Sequence, residues 1–238
     1  MSNPVDPINP QDVIIHNYQD LKEPSKFQKL KRIQFTEGSN NKRRFWDFTQ
    51  GMNSVAVLIF NTDQQKLCLV KQFRMMALMG REKEAIIGKS IEKSSTRDDN
   101  VTDDINLKFK RNIGECYEFC AGLIDRNSPP HEIAVSEVKE ETGYHITTND
   151  LKFIGKYVSL ASGGHSYLYY CEVKNDQRLS QGGGLESEGE FIEVVHVGVE
   201  EAEKLLVGKG LDEVEDGNLN YGAAFGMMWF LRNVYDKK

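Results

Sequence analysis

Residues 122–144 read G-L-I-D-R-N-S-P-P-H-E-I-A-V-S-E-V-K-E-E-T-G-Y, and they carry the clearest structural signals in the sequence. Ser128 followed by Pro129 is typical of a helix N-cap with proline at the first helical position. Gly143 stands where a left-handed C-terminal cap belongs. Together these signals predict a helix of about four turns.

Three glutamates share one face of this predicted helix. Glu137, Glu140 and Glu141 are spaced i, i+3 and i+4, so their carboxylates project from the same side, while Ala134 and Val138 can turn toward a core. Carboxylates this close repel one another, which suits a hard divalent cation such as Mg²⁺ or Mn²⁺ with its oxygen ligands. An isolated E-x-x-E-E is more often a solvated acidic face, so the pattern alone leaves both interpretations open.

The whole stretch resembles the Nudix box, whose pattern is G-x5-E-x7-R-E-U-x-E-E-x-G-U with U a bulky apolar residue. The matching positions are Gly122, Glu137, Val138, Glu140, Glu141, Gly143 and Tyr144. Two positions depart, since Ser128 replaces the first glutamate and Ser136 replaces the arginine. The resemblance implies an α+β Nudix fold, with mixed β-sheets sandwiched between α-helices and a small N-terminal antiparallel sheet.

Length and composition predict one main core. At 238 residues and 39% hydrophobic, the chain can bury a sizeable core with a small accessory region. We expect residues 1–50 to form an N-terminal arm and a small dimerisation sheet, and residues 51–238 to form the hydrolase domain. Residues 80–112 have few apolar side chains and mixed charge, which predicts a long mobile insertion.

The net charge and the cysteine spacing indicate which kinds of partner the protein binds and in which compartment it lies. The net charge of −6 argues against a nucleic-acid or membrane-surface protein. The four cysteines lack zinc-like spacing, and we expect Cys116 and Cys120 to be free thiols on one strand. No apolar run is long enough to span a bilayer, and the first residues show no targeting pattern. These features predict a cytoplasmic protein.

The region before residue 50 has strand-like apolar residues. Residues 27–35 and 45–48 predict short strands around a turn at residues 38–41. In the nucleotide-sugar and ADP-ribose branches of the Nudix family, such a sheet helps to build the dimer and lends residues to the partner's active site. The resemblance therefore implies a homodimer and makes Trp46 a candidate substrate contact.

Residues 54–60 and 67–73 predict a hairpin of two buried strands, the second of which runs into K-Q-F-R at residues 71–74. Such a run at a strand end is commonly a rim of ordinary charges. In the branches just named, however, the arginine of a Q-F-R at this place reaches the substrate diphosphate, where a planar guanidinium makes paired, charge-assisted bonds. The resemblance thus makes Arg74 a substrate-binding candidate.

Residues 115–122 alternate like a strand and lead into the Nudix box. The resemblance implies that metal ligation comes mainly from Glu137 and Glu141, assisted by Glu140 and the backbone carbonyl of Ala121. Glu118 lies on the same predicted strand. It is equally a substrate-site residue or a structural salt-bridge partner, and both interpretations stay open.

Two strands are predicted at residues 151–159 and 167–173, followed by an acidic, glycine-rich run at residues 182–190. Nudix chemistry needs a carboxylate outside the box helix, to complete the metal shell or to take a proton from the attacking water. In ADP-ribose-type relatives this residue lies in an acidic loop before a strand. Glu188 is the first choice, with Glu186 and Glu190 as alternatives.

The chain closes with an apolar helix predicted at residues 221–234, whose Phe225, Met228 and Trp229 we expect to pack in the core.

Segments from about residue 45 onward, the insertion excepted, resemble the UDP-sugar diphosphatase branch of the Nudix family. The quoted runs are W-D-F at 46–48, K-Q-F-R at 71–74, E-F-C-A-G-L-I-D at 118–125 and G-G-G-L-E-S-E-G-E-F at 182–191. This implies Mg²⁺-dependent hydrolysis of a nucleoside diphosphate sugar, with UDP-glucose giving UMP and glucose 1-phosphate. The alternatives are an ADP-ribose diphosphatase and a Nudix binding protein that has lost catalysis.

Overall fold

The computed structural model describes residues 12–16, 29–36, 43–94, 107–160, 162–185, 190–209, 211 and 218–236, with the backbone alone for residues 90–94. The strands are β1 Asp12–Ile15, β2 Leu30–Thr36, β3 Arg43–Thr49, β4 Ser54–Asn61, β5 Lys66–Phe73, β6 Leu107–Lys110, β7 Glu115–Glu118, β8 Cys120–Leu123, β9 Lys152–Val158, β10 His165–Val173, β11 Glu193–Val197 and β12 Asn218–Leu219. The α-helices are α1 Met75–Ser94, α2 Pro130–Glu137, α3 Val199–Leu206 and α4 Tyr221–Phe230.

A mixed eight-stranded sheet forms the centre of the described structure. Its main order is β12-β7-β5-β4-β10-β9, with β11 added beside β5 and β8 beside β4. The predicted hairpin is confirmed, because β4 pairs antiparallel with β5. The predicted strand pair after the box is also confirmed as β9 and β10, and β10 runs parallel to β4. Strand β4 therefore lies at the junction of the sheet.

Alternating side chains of β4 serve two separate cores. Leu58 and Phe60 pack with α3 and α4 on one face of the sheet. Val55, Val57 and Ile59 pack with α2 on the other face. A strand points successive side chains to opposite faces, so a continuous apolar run is expected where both faces are covered. The sheet thus lies between helices, as the predicted α+β architecture requires.

Two smaller sheets lie outside the central one. Strands β2 and β3 pair antiparallel, which confirms the strands predicted before residue 50, and Ile33 lies opposite Trp46. Strand β1 pairs with β6. Its Ile15 packs against Leu78 and Ile86 of α1 in a third small core.

The prediction of a mobile loop over residues 80–112 was wrong for much of the segment. Helix α1 continues through Ser94, and β6 pairs with β1 before a 3₁₀ turn at Arg111–Gly114. The apolar residues are sparse because α1 buries only a narrow stripe, while its exposed Lys and Glu positions are good helix formers. The central part of the segment, residues 95–106, lies outside the described residues.

The prediction for the last helix was right for Trp229, which packs against the core, and wrong for Phe225 and Met228. In α4, Ala223, Met227 and Phe230 are buried, whereas Phe225 and Met228 are exposed. Apolar side chains occur on every side of this helix, so the sequence pattern alone could not identify the buried face.

All four cysteines are buried free thiols, as predicted, but Cys116 and Cys120 lie on successive strands rather than on one. Among the described residues, no helix combines the length and apolar character needed to cross a membrane.

Candidate active site

The helix that carries the acidic residues ends in a widened turn. Helix α2 is followed directly by a π-helical turn at Val138–Thr142, and Gly143 then adopts the predicted left-handed conformation with φ of 76°. The N-cap residue is Pro129 rather than the predicted Ser128, and no side chain caps this end. Ala134 and Val138 are fully buried, as predicted, which fixes the rotation of the helix.

One cavity of about 480 Å³ collects the acidic face of this helix. Glu137, Glu140 and Glu141 line it together with Glu190, which arrives from the chain before β11. The cationic side chains on the wall are Arg74 and Arg126, and the backbone of β8 contributes Ala121 and Gly122. The cavity therefore combines hard oxygen donors with two guanidinium groups.

Glu137 is seated directly against Gly122. A Cβ atom on residue 122 would overlap the Glu137 carboxylate, so a side chain there would force that carboxylate to move. The box glycine and the box glutamate are fifteen residues apart in sequence (137 − 122) but share one space in the fold. This contact explains why the acidic helix can approach β8 so closely.

Glu141 is the most buried of the four acids, with 2% of its surface exposed. Its Oε2 accepts a hydrogen bond from the Ala121 backbone N–H at 3.0 Å. Burial raises the pKa of Glu141 to about 8, and the nearby charges of Glu137 and Glu190 act in the same direction. A carboxyl group in this environment is charged at neutral pH only at a cost, which a cation would offset.

Arg74 is held by Glu118. The guanidinium donates from Nη2 to Glu118 Oε2 at 2.7 Å and from Nε to both carboxylate oxygens at 3.2 Å. Gln72 Nε2 donates to the same carboxylate at 3.0 Å. Half of the Arg74 side chain remains exposed, whereas Glu118 is buried. The structure therefore places Glu118 behind Arg74, where it orients the guanidinium at the cavity wall.

Of the three candidate bases in the acidic loop, the structure describes Glu190. Glu186 and Glu188 lie outside the described residues. Glu190 is described and lines the cavity of the box glutamates. Its carboxylate accepts a hydrogen bond from the Leu185 backbone N–H at 3.0 Å, which fixes its orientation.

Trp46 is not part of this cavity. It lies on β3 with 59% of its surface exposed, in the small sheet formed with β2. Any contact between Trp46 and the substrate must therefore involve something beyond the cavity of this chain.

The donor set fits a hard divalent cation. Within the part of the chain that the structure describes, no group of three or more His, Cys, Asp or Glu side chains is arranged to hold a metal ion alone. Magnesium is usually bound by one or two carboxylates, with waters and substrate phosphates completing its shell. The glycine cradle for Glu137 and the burial of Glu141 are consistent with that mode of binding.

No family model matches the chain. The chain is 33% identical over 198 residues to the uridine diphosphate glucose pyrophosphatase NUDT14 of Bos taurus, with 82% of this chain and 85% of that protein covered. The chain belongs to the Nudix hydrolase family. As a Nudix hydrolase, it is an enzyme that acts on diphosphate bonds.

Two further comparisons agree with membership of the Nudix family. The GDP-mannose pyrophosphatase of Escherichia coli strain K12 is 27% identical over 177 residues, covering 71% of this chain and 72% of that protein. A crystal structure of an ADP compounds hydrolase matches with a TM-score of 0.53 and 19% identity, covering 93% of this chain and 95% of the other. The second likeness shows the Nudix fold.

Two charged residues that line this cavity, Asp125 and Arg126, were not predicted from the sequence. Arg126 reaches the cavity from the loop between β8 and α2. Its position four residues after the box glycine was a usable signal, because that loop must pass the acidic face to enter the helix. Ser136, at the arginine position of the box, donates its hydroxyl to the Glu132 carbonyl at 3.3 Å instead of adding a charge.

Proposed function

We propose that this Nudix enzyme is a Mg²⁺-dependent hydrolase of nucleoside diphosphate sugars, with UDP-glucose cut into UMP and glucose 1-phosphate. One observation carries the proposal. The half-exposed guanidinium of Arg74 and the box glutamates line the same cavity, so one wall suits a diphosphate and the other suits the cation that accompanies it. The relative that is 33% identical is a UDP-glucose pyrophosphatase.

The cation would be held by Glu137 and Glu141, with Glu140 and the Ala121 carbonyl in support. When bound, Mg²⁺ supplies charge neutralisation at the phosphoryl oxygens and lowers the pKa of a bound water. Mn²⁺ offers similar oxygen-preferring chemistry and can serve in its place. The buried Glu141 carboxyl contributes most to this role, because it already accepts the Ala121 N–H and cannot turn to bulk water.

Arg74 would orient the diphosphate. Glu118 and Gln72 fix the guanidinium from behind, so little side-chain entropy is lost when phosphate oxygens bind its exposed edge. Glu118 thereby acts through Arg74 rather than on the substrate itself.

Glu190 would take the proton from the attacking water. Among the residues that the structure describes, it is the acidic-loop carboxylate that lines the cavity of the box glutamates. Its carboxylate is fixed by the Leu185 N–H at 3.0 Å, and a fixed acceptor is what general-base catalysis requires. Glu188, the first choice from sequence, lies outside the described residues, so that choice stays a prediction beside this proposal.

The apolar face of the small N-terminal sheet supports a homodimer. In β2 and β3, Ile33 and Trp46 lie opposite each other and share one face with Phe35 and Phe48. Ile33 and Trp46 are both more than half exposed, which is costly for large apolar side chains on a two-stranded sheet. A second copy that covers this face would bring Trp46 toward the partner's substrate. The buried free thiols favour a reducing compartment, so we place the dimer in the cytoplasm.

A panel of substrates tests this function. We expect kcat/KM for UDP-glucose to exceed that for ADP-ribose and GDP-mannose on one preparation, with no turnover in excess EDTA. GDP-mannose belongs in the panel because a second relative is a GDP-mannose pyrophosphatase. A preference for ADP-ribose would support the ADP-ribose diphosphatase instead. An absence of turnover with every substrate at saturating Mg²⁺ would leave the binding protein as the better interpretation.

A further inference from the structure

The backbone at the end of the acidic helix is held by one segment further along the chain. Arg178 Nε donates to the Thr142 carbonyl at 3.2 Å, and the Leu179 N–H donates to the Gly143 carbonyl at 3.0 Å. The last carbonyls of a helix have no partner within the helix. Residues 178–184 supply donors for them.

The same segment is hydrogen-bonded to the backbone of two of the glutamates that line the cavity, Glu140 and Glu141. The Gly183 N–H donates to the Glu141 carbonyl at 2.8 Å, and the Gly184 N–H donates to the Glu140 carbonyl at 3.2 Å. The backbone positions of both acids are therefore fixed from outside the helix.

Gly183 and Leu185, at the end of this segment and directly after it, are hydrogen-bonded to Ile192 and to Glu190, respectively. The Leu185 N–H donates to Glu190 Oε2 at 3.0 Å, and the Glu190 N–H donates to the Leu185 carbonyl at 3.3 Å. The Ile192 N–H donates to the Gly183 carbonyl at 3.2 Å. The Gly183 N–H is thus hydrogen-bonded to the acidic helix, and the Gly183 carbonyl is hydrogen-bonded to Ile192, two residues after Glu190.

Two neighbouring glycines in this segment differ in what a side chain would meet. Gly183 and Gly184 both have positive φ, at 113° and 80°. A Cβ on residue 184 would lie 2.6 Å from Glu190 Oε2 and 2.8 Å from Glu190 Cβ. A Cβ on residue 183 would meet only the Ile192 carbonyl, at an ordinary 3.6 Å. The space beside residue 184 is therefore occupied by the Glu190 carboxylate.

We propose that Gly184 is a positioning residue of the reaction, which sets the place of the Glu190 carboxylate relative to Glu140 and Glu141. Its N–H is bonded to the acidic helix, and its missing side chain leaves the room that Glu190 fills. The inference rests on the proposed function, in which Glu190 takes a proton from the attacking water.

The matched variants Gly184→Ala and Gly208→Ala test the inference. The two glycines have nearly the same positive φ, 80° and 79°, but a Cβ on residue 208 meets nothing within 4 Å. Backbone strain alone therefore predicts similar effects of the two changes. Gly184→Ala should lower kcat to about the level of Glu190→Gln, on the order of 100-fold, while Gly208→Ala should stay within about threefold of the parent.

A double variant separates positioning of Glu190 from damage to the helix. In the Glu190→Gln background, Gly184→Ala should leave kcat unchanged, because the carboxylate that it displaces is already absent. A further loss as large as in the parent would overturn the inference. If Gly184→Ala does not fold, Gly184→Asn replaces it, since Asn adopts positive φ more readily.

Crystal structures of the two alanine variants give a readout that does not depend on activity. The Glu190 carboxylate should be displaced in Gly184→Ala and unchanged in Gly208→Ala. An unmoved carboxylate in Gly184→Ala contradicts the inference. Failure of the parent to hydrolyse any nucleotide sugar would count against the proposed function, while the displacement of Glu190 would still decide the geometric claim.

Discussion

The carboxylate of Glu137 occupies the space that a Cβ atom on Gly122 would need. The contact joins β8 to the helix that carries the acids, so the same pair of residues positions the acidic face of the helix relative to the central sheet. A methyl group at residue 122 would push the carboxylate away, whatever else it did to the strand.

We therefore expect Gly122→Ala to lower kcat/KM for UDP-glucose by at least about 100-fold, since misplacing one group by about 1 Å can cost that much. Steady-state kinetics at saturating Mg²⁺ measures the effect. Gly80→Ala is the matched control, because a Cβ there meets nothing within 4 Å. Near-parental activity in Gly122→Ala would show that the position of Glu137 is not critical.

The charge on Glu141 should reduce the stability of the metal-free protein at high pH. Burial raises its pKa from 4.5 to about 8, so the folded state keeps a proton that the unfolded state releases between these values. Stability in EDTA should therefore be fully present below about pH 4.5 and fall as the pH rises toward 8. Mg²⁺ should reverse the loss by favouring the charged form.

Glu141→Gln removes this titration. The variant should lose turnover, because a neutral amide is a poor Mg²⁺ ligand, and should show a smaller fall in Tm between pH 5 and pH 8 in EDTA than the parent. Thermal unfolding at the two pH values measures the difference. Glu132→Gln, on an exposed turn of the same helix, should behave like the parent. An equal fall in Tm for the parent and Glu141→Gln would show that ionisation of the buried Glu141 does not destabilise the folded protein.

Removal of the Arg74 guanidinium should raise KM for the substrate by a larger factor than it lowers kcat. We expect Arg74→Ala to raise KM for UDP-glucose by about tenfold or more, in line with the loss of charge-assisted hydrogen bonds. Arg74→Lys should recover only part of the affinity, since an ammonium cannot make the paired contact. Arg232 is an exposed residue of the π-helical turn Leu231–Tyr235 that follows α4. Arg232→Ala changes the net charge equally and serves as control. Unchanged KM in Arg74→Ala would remove this residue from the substrate site.

The acidic helix and the hairpin β4–β5 were predictable because they depend on local signals. The spacing of Glu137 and Glu141, the left-handed cap at Gly143 and the apolar run in β4 each reflect the chain within a few turns or one strand. Gly122 and Glu137 both belong to the box motif, so the sequence pattern predicted these two residues. It did not predict that the Glu137 carboxylate lies in the space beside Gly122, because that contact joins β8 to the helix.

The remaining features depended on tertiary contacts. Helix α1 buries a narrow stripe against β1, a partner far away in sequence, so its composition resembled a loop. The bonds from Gly183 and Gly184 to the acidic helix join segments about forty residues apart (183 − 141, 184 − 140) through backbone groups, which carry no sequence signature. The position of Glu190 on the cavity wall likewise depends on the fold, because Glu190 lies about fifty residues after the box glutamates (190 − 141).

The proposed dimer predicts different effects for two adjacent aromatic residues. Phe45 and Trp46 are equally exposed, at 59%, but they point to opposite faces of the small sheet. Trp46→Asp should produce a monomer, because it places a charge on the face shared with Ile33. Phe45→Asp, on the face of the Arg32–Asp47 ion pair, should remain dimeric. Light scattering at micromolar concentration makes the comparison, and a parent of about 27.1 kDa in solution would contradict the dimer.

Phosphorus NMR of the products formed from UDP-glucose by the parent enzyme, in Mg²⁺ and in EDTA, tests the proposed hydrolysis. We expect equal amounts of UMP and glucose 1-phosphate in Mg²⁺, with neither formed in EDTA or by Glu141→Gln. Hydrolysis that continues in EDTA, or persistence of intact UDP-glucose in Mg²⁺, would contradict the proposal.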